Sequence, residues 1–209
     1  MLTISDRFPD YSLTALIPGD LSQVQVREPE DYFMTVTSDA HPGKWRVVFF
    51  WPKDFTFVCP TEIAEFGRKN HDFEDRNAVV LGASVDNDYV HVAWRTNHPS
   101  LRDLPFPMLA DIKRELTSAC GVLNSDGVAD RATFIVDPEG TVQFVMVTAG
   151  DVGRNVDEVI RVLDALQTGE LCPCDWHPGT ETLQAAELMD AGALTPLSAG
   201  DTVESCAIN

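Results

Sequence analysis

Two consecutive stretches decide the fold: Arg46-Val-Val-Phe-Phe-Trp51 and Pro52-Lys-Asp-Phe-Thr-Phe-Val-Cys59-Pro-Thr-Glu-Ile63. The first is a nearly continuous run of β-branched and aromatic residues, which is typical of a strand buried on both faces of a sheet. Beyond the loop, the apolar residues Ile63, Phe66 and Phe73 recur on one face of a predicted helix. A buried strand that leads through a short loop into a helix favours a layered α/β domain.

The rest of the chain continues this alternation of strands and helices. Further strands are predicted at 78–85, 131–137 and 142–148, and Pro138-Glu139-Gly140 joins the last two as a hairpin. Helices are predicted from a cap at Asp86-Asn87-Asp88 to about Asn97, and again over 156–166. We therefore expect an α/β domain with a mixed central sheet over residues 1–167. A C-terminal arm, with a short helix near 182–191, follows over residues 168–209.

The charge of the chain limits its partners. The 209 residues include 33 acidic and 15 basic side chains, for a formal net charge of −18. Nucleic acids and anionic membranes would repel such a chain, so we expect neither as a partner. The longest apolar runs are far short of the ~20 residues of a membrane-spanning helix. The first residues show no secretion-signal pattern, which favours a cytoplasmic location. Residues 162–209 contain eight acidic and no basic side chains, which distinguishes the arm in composition.

Five cysteines are the main candidates for chemistry, and Cys59 is the most informative. An odd number of cysteines without a secretion signal argues against a disulfide scaffold. Cys59 falls in the first turn of the predicted helix, where free backbone N–H groups and the helix dipole stabilise an anion such as a thiolate. Thr56 could place a hydroxyl beside the sulfur or a substrate, and Pro52 could shield the sulfur from water. A buried packing cysteine fits the same spacing equally well.

The other cysteines leave several interpretations open. Cys172-Pro173-Cys174 in the arm suits a redox dithiol, whereas Cys172, Cys174, Asp175 and His177 together could bind zinc. Zinc is the weaker interpretation, because Cys-x-Cys spacing is short for zinc and no second Cys or His pair lies nearby. Cys120 follows a predicted helix over 112–119 and is interpreted as a packing residue. Cys206 has no assigned role.

The segment 49–63 resembles the active-site segment of the typical two-cysteine peroxiredoxins, most closely the alkyl hydroperoxide reductase AhpC branch of actinobacterial type. Pro52, Thr56 and Cys59 fill the family pattern Pro-x-x-x-Thr-x-x-Cys. The resemblance extends over residues 1–188 and is specific, because further motifs follow in the family's order. They are Ala83-Ser-Val-Asp86, Ala93-Trp-Arg95, Gly127-Val-Ala-Asp-Arg131, Gly153-Arg-Asn-Val-Asp-Glu158 and Leu171-Cys-Pro-Cys-Asp-Trp176.

The resemblance implies a thioredoxin-like fold and a thiol-dependent peroxidase. Cys59 would be the peroxidatic cysteine, whose thiolate attacks the peroxide and becomes a sulfenic acid. Thr56 would orient the peroxide oxygens, and Arg131 would stabilise the thiolate and bind the peroxide. Glu62 and Arg154 would hold Arg131 in place. Taken without the resemblance, Arg131 and Arg154 would be interpreted as ordinary strand-edge and surface residues.

The resemblance also implies a role for the arm and a set of partners. Cys172 would be the resolving cysteine, which forms a disulfide with Cys59 of another subunit, and Cys174 would be a reserve thiol or an inert neighbour. The substrates would be hydrogen peroxide, organic hydroperoxides and peroxynitrite, and no metal, haem or flavin would be needed. An AhpD-like protein, a thioredoxin or an AhpF-like flavoprotein would reduce the disulfide. The assembly would be a homodimer that builds rings of five or six dimers.

Two details of the sequence bear on regulation and on rival functions. Many eukaryotic members carry a Gly-Gly-Leu-Gly insert and a C-terminal Tyr-Phe pair, whereas here the corresponding loop reads His98-Pro-Ser-Leu-Arg-Asp-Leu-Pro105 and the chain ends Cys206-Ala-Ile-Asn209. We therefore expect fast disulfide formation and resistance of Cys59 to overoxidation. The alternatives are a redox-regulated holdase chaperone, which needs none of the matched site residues, and a protein thiol–disulfide oxidoreductase, for which the usual Cys-x-x-Cys is absent at Cys59.

Overall fold

A computed structural model describes residues 1–24 and 28–184. The chain divides into two compact units, residues 1–163 and 164–209. In the first unit, seven strands form one mixed sheet in the order β3-β1-β7-β5-β4-β8-β9. These strands are β1 (Ser12–Leu16), β3 (Phe33–Thr37), β4 (Trp45–Phe50), β5 (Ala78–Ser84), β7 (Met108–Ala110), β8 (Arg131–Val136) and β9 (Val142–Thr148). A separate two-stranded sheet pairs β2 (Gly19–Asp20) with β6 (Asp103–Leu104).

The α-helices of the described residues complete the predicted α/β class. They are α1 (Cys59–Arg68), α2 (Asn70–Glu74), α3 (Asp88–Asn97), α4 (Glu115–Ala119) and α5 (Val156–Thr168). Strand β4 pairs in parallel with β5 and antiparallel with β8, so the sheet is mixed, as predicted. The hairpin of β8 and β9 is also confirmed. The predicted cap of α3 is Asn87, whose side chain accepts a hydrogen bond from the Tyr89 N–H at 2.8 Å.

Two helix predictions were wrong in their boundaries. Phe73 was expected in the same helix as Phe66, but the helix breaks at Lys69, whose φ of −96° and ψ of 9° leave the α conformation. The rings of Phe66 and Phe73 nevertheless stack at 6.1 Å, so the apolar face continues across the break. The helix predicted over 112–119 begins only at Glu115, because Arg114 has a left-handed φ of 59°.

A cluster of aromatic residues fixes α1 against the end of β4. The rings of Phe49 and Phe66 stack with centroids 4.2 Å apart, and both side chains are fully buried. Gly82 of β5 leaves room for this packing, since a Cβ atom there would lie 2.8 Å from the Phe49 ring. The packing places the loop between β4 and α1, and the N-terminus of α1, next to the C-terminal end of β4. The candidate site lies at this end of the strand.

The second unit is described here over residues 164–184. Leu171 and Leu183 form an antiparallel bridge, and the Trp176 indole N–H donates to the Thr180 carbonyl oxygen at 2.9 Å. Most of the short helix predicted near 182–191, and Cys206, lie outside the described residues. Within the described residues, no helix is long and apolar enough to cross a membrane.

Candidate active site

Cys59 is the first residue of α1, as predicted from the sequence. Its side chain is 2% exposed and its sulfur is a free thiol. No side chain caps this end of the helix, and Pro60 occupies one of its first positions, where a missing N–H is tolerated. The helix dipole therefore favours negative charge at this end of α1.

Arg131 lies against the Cys59 sulfur, although the two residues are 72 positions apart. The antiparallel register of β4 and β8 pairs Phe49 with Thr133, and so brings the start of β8 to the end of β4. The Nη1 group of Arg131 donates to Cys59 Sγ at 3.5 Å, and Nη2 donates to the Gly150 carbonyl oxygen at 2.7 Å. Burial lowers the pKa of the guanidinium, but the Cys59 sulfur and the Glu62 carboxylate outweigh burial and leave that pKa above its usual value. Arg131 is thus a permanent cation beside the thiol.

Glu62 and Arg154 fix the position of Arg131. The Glu62 carboxylate is buried between the two guanidinium groups and pairs with Nη1 of Arg131. Its Oε1 accepts from both the backbone N–H and Nε of Arg154 at 2.8 Å, and its Oε2 accepts from Nη2 at 3.0 Å. Burial lowers the pKa of Arg154, and the Glu62 carboxylate opposes that change. The Arg154 guanidinium also lies 5.3 Å from the centre of the Phe49 ring, within cation–π range.

The loop between β4 and α1 places Pro52 and Thr56 near the start of α1. Both residues are half-buried, and the Thr56 hydroxyl donates to the Lys53 carbonyl oxygen at 2.9 Å. The geometry of the described residues thus brings four of the sequence-predicted residues into one site and places the two loop residues beside it in the chain. The four are Cys59, Glu62, Arg131 and Arg154.

Sequence reasoning missed two residues that hold this loop, Asp54 and His91. Both side chains are buried, and His91 Nδ1 lies 2.6 Å from Asp54 Oδ2. The available signal was a carboxylate within the mostly apolar and aromatic segment 49–58, because a buried acid needs a partner. The partner could not be identified from spacing, since it lies 37 positions away on α3.

The arm cysteines lie in the second unit, where both are free thiols. Cys172 is half-buried, with its sulfur 3.4 Å from the Thr168 hydroxyl and 3.7 Å from the Ala165 carbonyl oxygen. Cys174 is exposed. Over residues 1–24 and 28–184, no group of three or more His, Cys, Asp or Glu side chains is arranged to hold a metal ion.

Cys120 lies in the hydrophobic core of the first unit. Burial raises the pKa of its thiol to about 12, with a smaller contribution from the negative charge of Asp111. A thiol held protonated in this way is a poor nucleophile. The structure therefore supports the interpretation of Cys120 as a packing residue.

Comparisons with known proteins agree with this geometry. The model of the AhpC/TSA family matches residues 4–145. The chain is 67% identical to alkyl hydroperoxide reductase C of Mycolicibacterium smegmatis over 194 residues, which cover 93% of this chain and 99% of that protein. The structure of Mycobacterium tuberculosis AhpC is similar with a TM-score of 0.80 and 67% identity, covering 85% of this chain and 99% of that one. A reduced 2-Cys peroxiredoxin of Plasmodium vivax is similar with a TM-score of 0.78 at 30% identity, covering 89% of this chain and 98% of that one.

Proposed function

This chain belongs to the AhpC/TSA family, and we propose that it is a peroxiredoxin, a thiol-dependent peroxidase that reduces hydrogen peroxide, organic hydroperoxides and peroxynitrite. One observation carries the proposal. A free thiol at the N-terminus of α1 lies 3.5 Å from the guanidinium of Arg131, which Glu62 and Arg154 fix in place. A thioredoxin-like fold with a mixed sheet supports this site.

The first step is attack of the Cys59 thiolate on one oxygen of the peroxide. A sulfur–oxygen bond forms, the oxygen–oxygen bond breaks, and the leaving oxygen takes a proton to become water or an alcohol. Negative charge moves from sulfur to the leaving oxygen, so fixed donors near both atoms lower the barrier. Arg131 has such a donor to spare, because its Nε is buried and has no hydrogen-bond partner in the described residues. Thr56 would orient the peroxide, and Pro52 would limit access of water.

The second step gives the cysteines of the C-terminal arm their roles. The thiol of Cys172 would attack the Cys59 sulfenic acid, so that a disulfide forms and water leaves, and Cys174 would serve as a reserve thiol. A partner dithiol protein would then reduce the disulfide and become oxidised itself. We propose an AhpD-like protein, a thioredoxin or an AhpF-like flavoprotein for this role. We also propose a cytoplasmic location, since the proposed cycle needs a compartment in which partner dithiols keep reducing the disulfide.

The assembly would be a homodimer, with rings of five or six dimers, in which the Cys59–Cys172 disulfide joins two subunits. The loop next to Cys59 supports an interface, because Phe57 is 93% exposed and Phe55 is 57% exposed. Large aromatic side chains that protrude together favour contact with another protein surface. Native mass spectrometry of the reduced protein tests the assembly, and a monomer at micromolar concentration would contradict it.

A single-turnover assay tests the peroxidase reaction itself. Reduced protein is mixed with one equivalent of hydrogen peroxide in a stopped-flow instrument, and peroxide consumption is followed. We expect rapid consumption by the wild type and by Cys174→Ser, and none by Cys59→Ser. Suppression of client aggregation without peroxide consumption would instead favour a holdase, and insulin reduction without peroxide consumption would favour a thiol–disulfide oxidoreductase.

A non-reducing gel after the same reaction tests the resolving cysteine. We expect a peroxide-induced disulfide dimer in the wild type and in Cys174→Ser, and its loss in Cys172→Ser. A dimer that persists in Cys172→Ser but disappears in the double variant would assign resolution to Cys174.

A further inference from the structure

We propose that Asp54 and His91 are positioning residues for the peroxidase reaction, because their buried pair fixes the loop 52–58 and thereby the position of the Thr56 hydroxyl in that loop. The proposal rests on the proposed function, since it assigns a role within the same site. Neither residue touches the sulfur. Their effect passes through the backbone of the loop.

The pair has the geometry of a buried ion pair. His91 Nδ1 donates to Asp54 Oδ2 at 2.6 Å, and the side chains are 0% and 1% exposed. His91 Nε2 lies 3.4 Å from the Leu109 carbonyl oxygen, so both ring nitrogens face acceptors. A ring that carries a proton on Nδ1 donates it to the carboxylate in this arrangement. The other carboxylate oxygen of Asp54 accepts from the Trp51 indole N–H at 2.7 Å.

Such a pair contributes more to geometry than to stability. Removing two charges from water costs about as much free energy as their attraction returns in the interior. Burial raises the pKa of the Asp54 carboxyl above its usual value, and the hydrogen bond with His91 and the charge of His91 partly oppose that change. The pair connects the loop to α3 and, through Trp51, to the end of β4. The Asp54 backbone N–H adds a further connection by donating to Asp86 Oδ2 at 2.9 Å.

The loop needs this connection because Phe55, the residue after Asp54, has a strained backbone. Phe55 has a left-handed φ of 56°, a conformation that is unfavourable for an L-residue with a side chain. Strained backbone of this kind persists only where the surroundings hold it. Two contacts do so here: Asp54 is fixed on one side, and the Phe55 ring packs on Trp94 of α3 with centroids 6.0 Å apart. Thr56 follows directly, so relaxation of Phe55 would move the Thr56 hydroxyl.

The test compares two reactions of the same sulfur. Rate constants are measured for reduced Asp54→Asn, His91→Asn and His91→Ala, once with hydrogen peroxide and once with monobromobimane. Bimane alkylation needs the thiolate but no donors for a leaving oxygen. Displacement by about 1 Å costs up to the order of 100-fold in rate. We therefore expect the ratio of the peroxide to the bimane rate constant to fall at least tenfold in Asp54→Asn and His91→Ala. A smaller loss is expected in His91→Asn, because an amide N–H can still donate to Asp54.

Asp111→Asn is the matched control. Asp111 is a fully buried carboxylate of the same unit, and its Oδ2 accepts from the Thr117 N–H at 2.7 Å and the Thr117 hydroxyl at 2.6 Å. Its replacement should lower the melting temperature and leave the rate ratio unchanged. An unchanged ratio in both folded Asp54→Asn and His91→Asn would overturn the positioning role, as would an equal loss in Asp111→Asn. A wild type that reacts with bimane but not with peroxide would overturn the proposed function instead.

Discussion

Replacing Glu62 by Gln should destabilise the protein strongly, although the side chain keeps its shape. The Glu62 carboxylate accepts one hydrogen bond from Arg131 and three from Arg154, and all three side chains are buried. An amide loses the negative charge and turns an N–H₂ group toward one of the two guanidinium groups, which then face each other without compensation. Breaking a buried ion pair from one side costs about 3–5 kcal/mol. For a protein of this size, that loss lowers the melting temperature by roughly 6–20 °C.

Differential scanning calorimetry of the reduced protein at neutral pH measures this effect. The matched control is Glu65→Gln, three positions further along the same helix, where the side chain is partly exposed. Glu65 pairs with Arg68, whose side chain is 66% exposed, and an exposed pair of this kind contributes little to stability. The reasoning would be refuted if Glu62→Gln lowered the melting temperature no more than Glu65→Gln does. It would also be refuted if both variants melted at the temperature of the wild type.

Three further predictions concern Gly82, Cys120 and the loop His98–Pro105. Gly82→Ala should lower the free energy of unfolding by about 1–3 kcal/mol in urea titrations, because the new Cβ would lie 2.8 Å from the Phe49 ring; wild-type stability would contradict this. Burial raises the pKa of the Cys120 thiol to about 12 in the folded protein, whereas the ordinary pKa of 9.0 applies to the unfolded chain. Between these two pH values the folded state therefore binds more protons than the unfolded state. Unfolding free energy should therefore fall more steeply from pH 8 to 10 in the wild type than in Cys120→Ala, and equal slopes would argue against the assignment. With the short loop His98–Pro105, intact-mass measurements during turnover with excess peroxide should show little sulfinic Cys59, and its appearance at low peroxide would contradict the expectation.

Local sequence patterns were sufficient to predict the elements next to Cys59. The apolar run before the loop gave β4 within one residue of its observed bounds, and the change to helical spacing placed Cys59 in the first turn of α1. Strands β1, β3 and β7 were not predicted. The first two are edge-side strands of five residues that mix threonine with apolar residues, and the third has only three residues. Periodicity is a weak signal over such short segments. The break at Lys69 was also missed, because Gly67 lies inside α1 and no proline or glycine occurs at Lys69 or in the residues that follow it up to Arg76.

The contacts of the site itself depend on tertiary structure. Cys59 and Arg131 meet because β8 pairs antiparallel with β4, and Arg154 reaches Glu62 from the segment that follows β9. Nothing in the local spacing of these residues encodes that register, so only the resemblance to a family assigned their roles. The partner of Asp54 illustrates the same limit. A buried aspartate can be suspected from its apolar neighbours, whereas His91 is identified only by the packing of α3 against the sheet.

Cys59, Glu62, Arg131 and Arg154 form a buried cluster, and their charges explain why these four side chains occur together. Arg131 and Arg154 contribute two positive charges, Glu62 contributes one negative charge, and all three side chains are at least nine-tenths buried. A net positive charge in a low-dielectric interior is costly unless an anion accompanies it. A thiolate at Cys59, 3.5 Å from Arg131, would supply that anion and make the cluster electrically neutral. The arginine proposed to bind the substrate and the carboxylate that fixes it would therefore also favour the nucleophilic form of the sulfur. Removal of either arginine should accordingly reduce the reactivity of Cys59 even toward electrophiles that need no oxygen-binding donor.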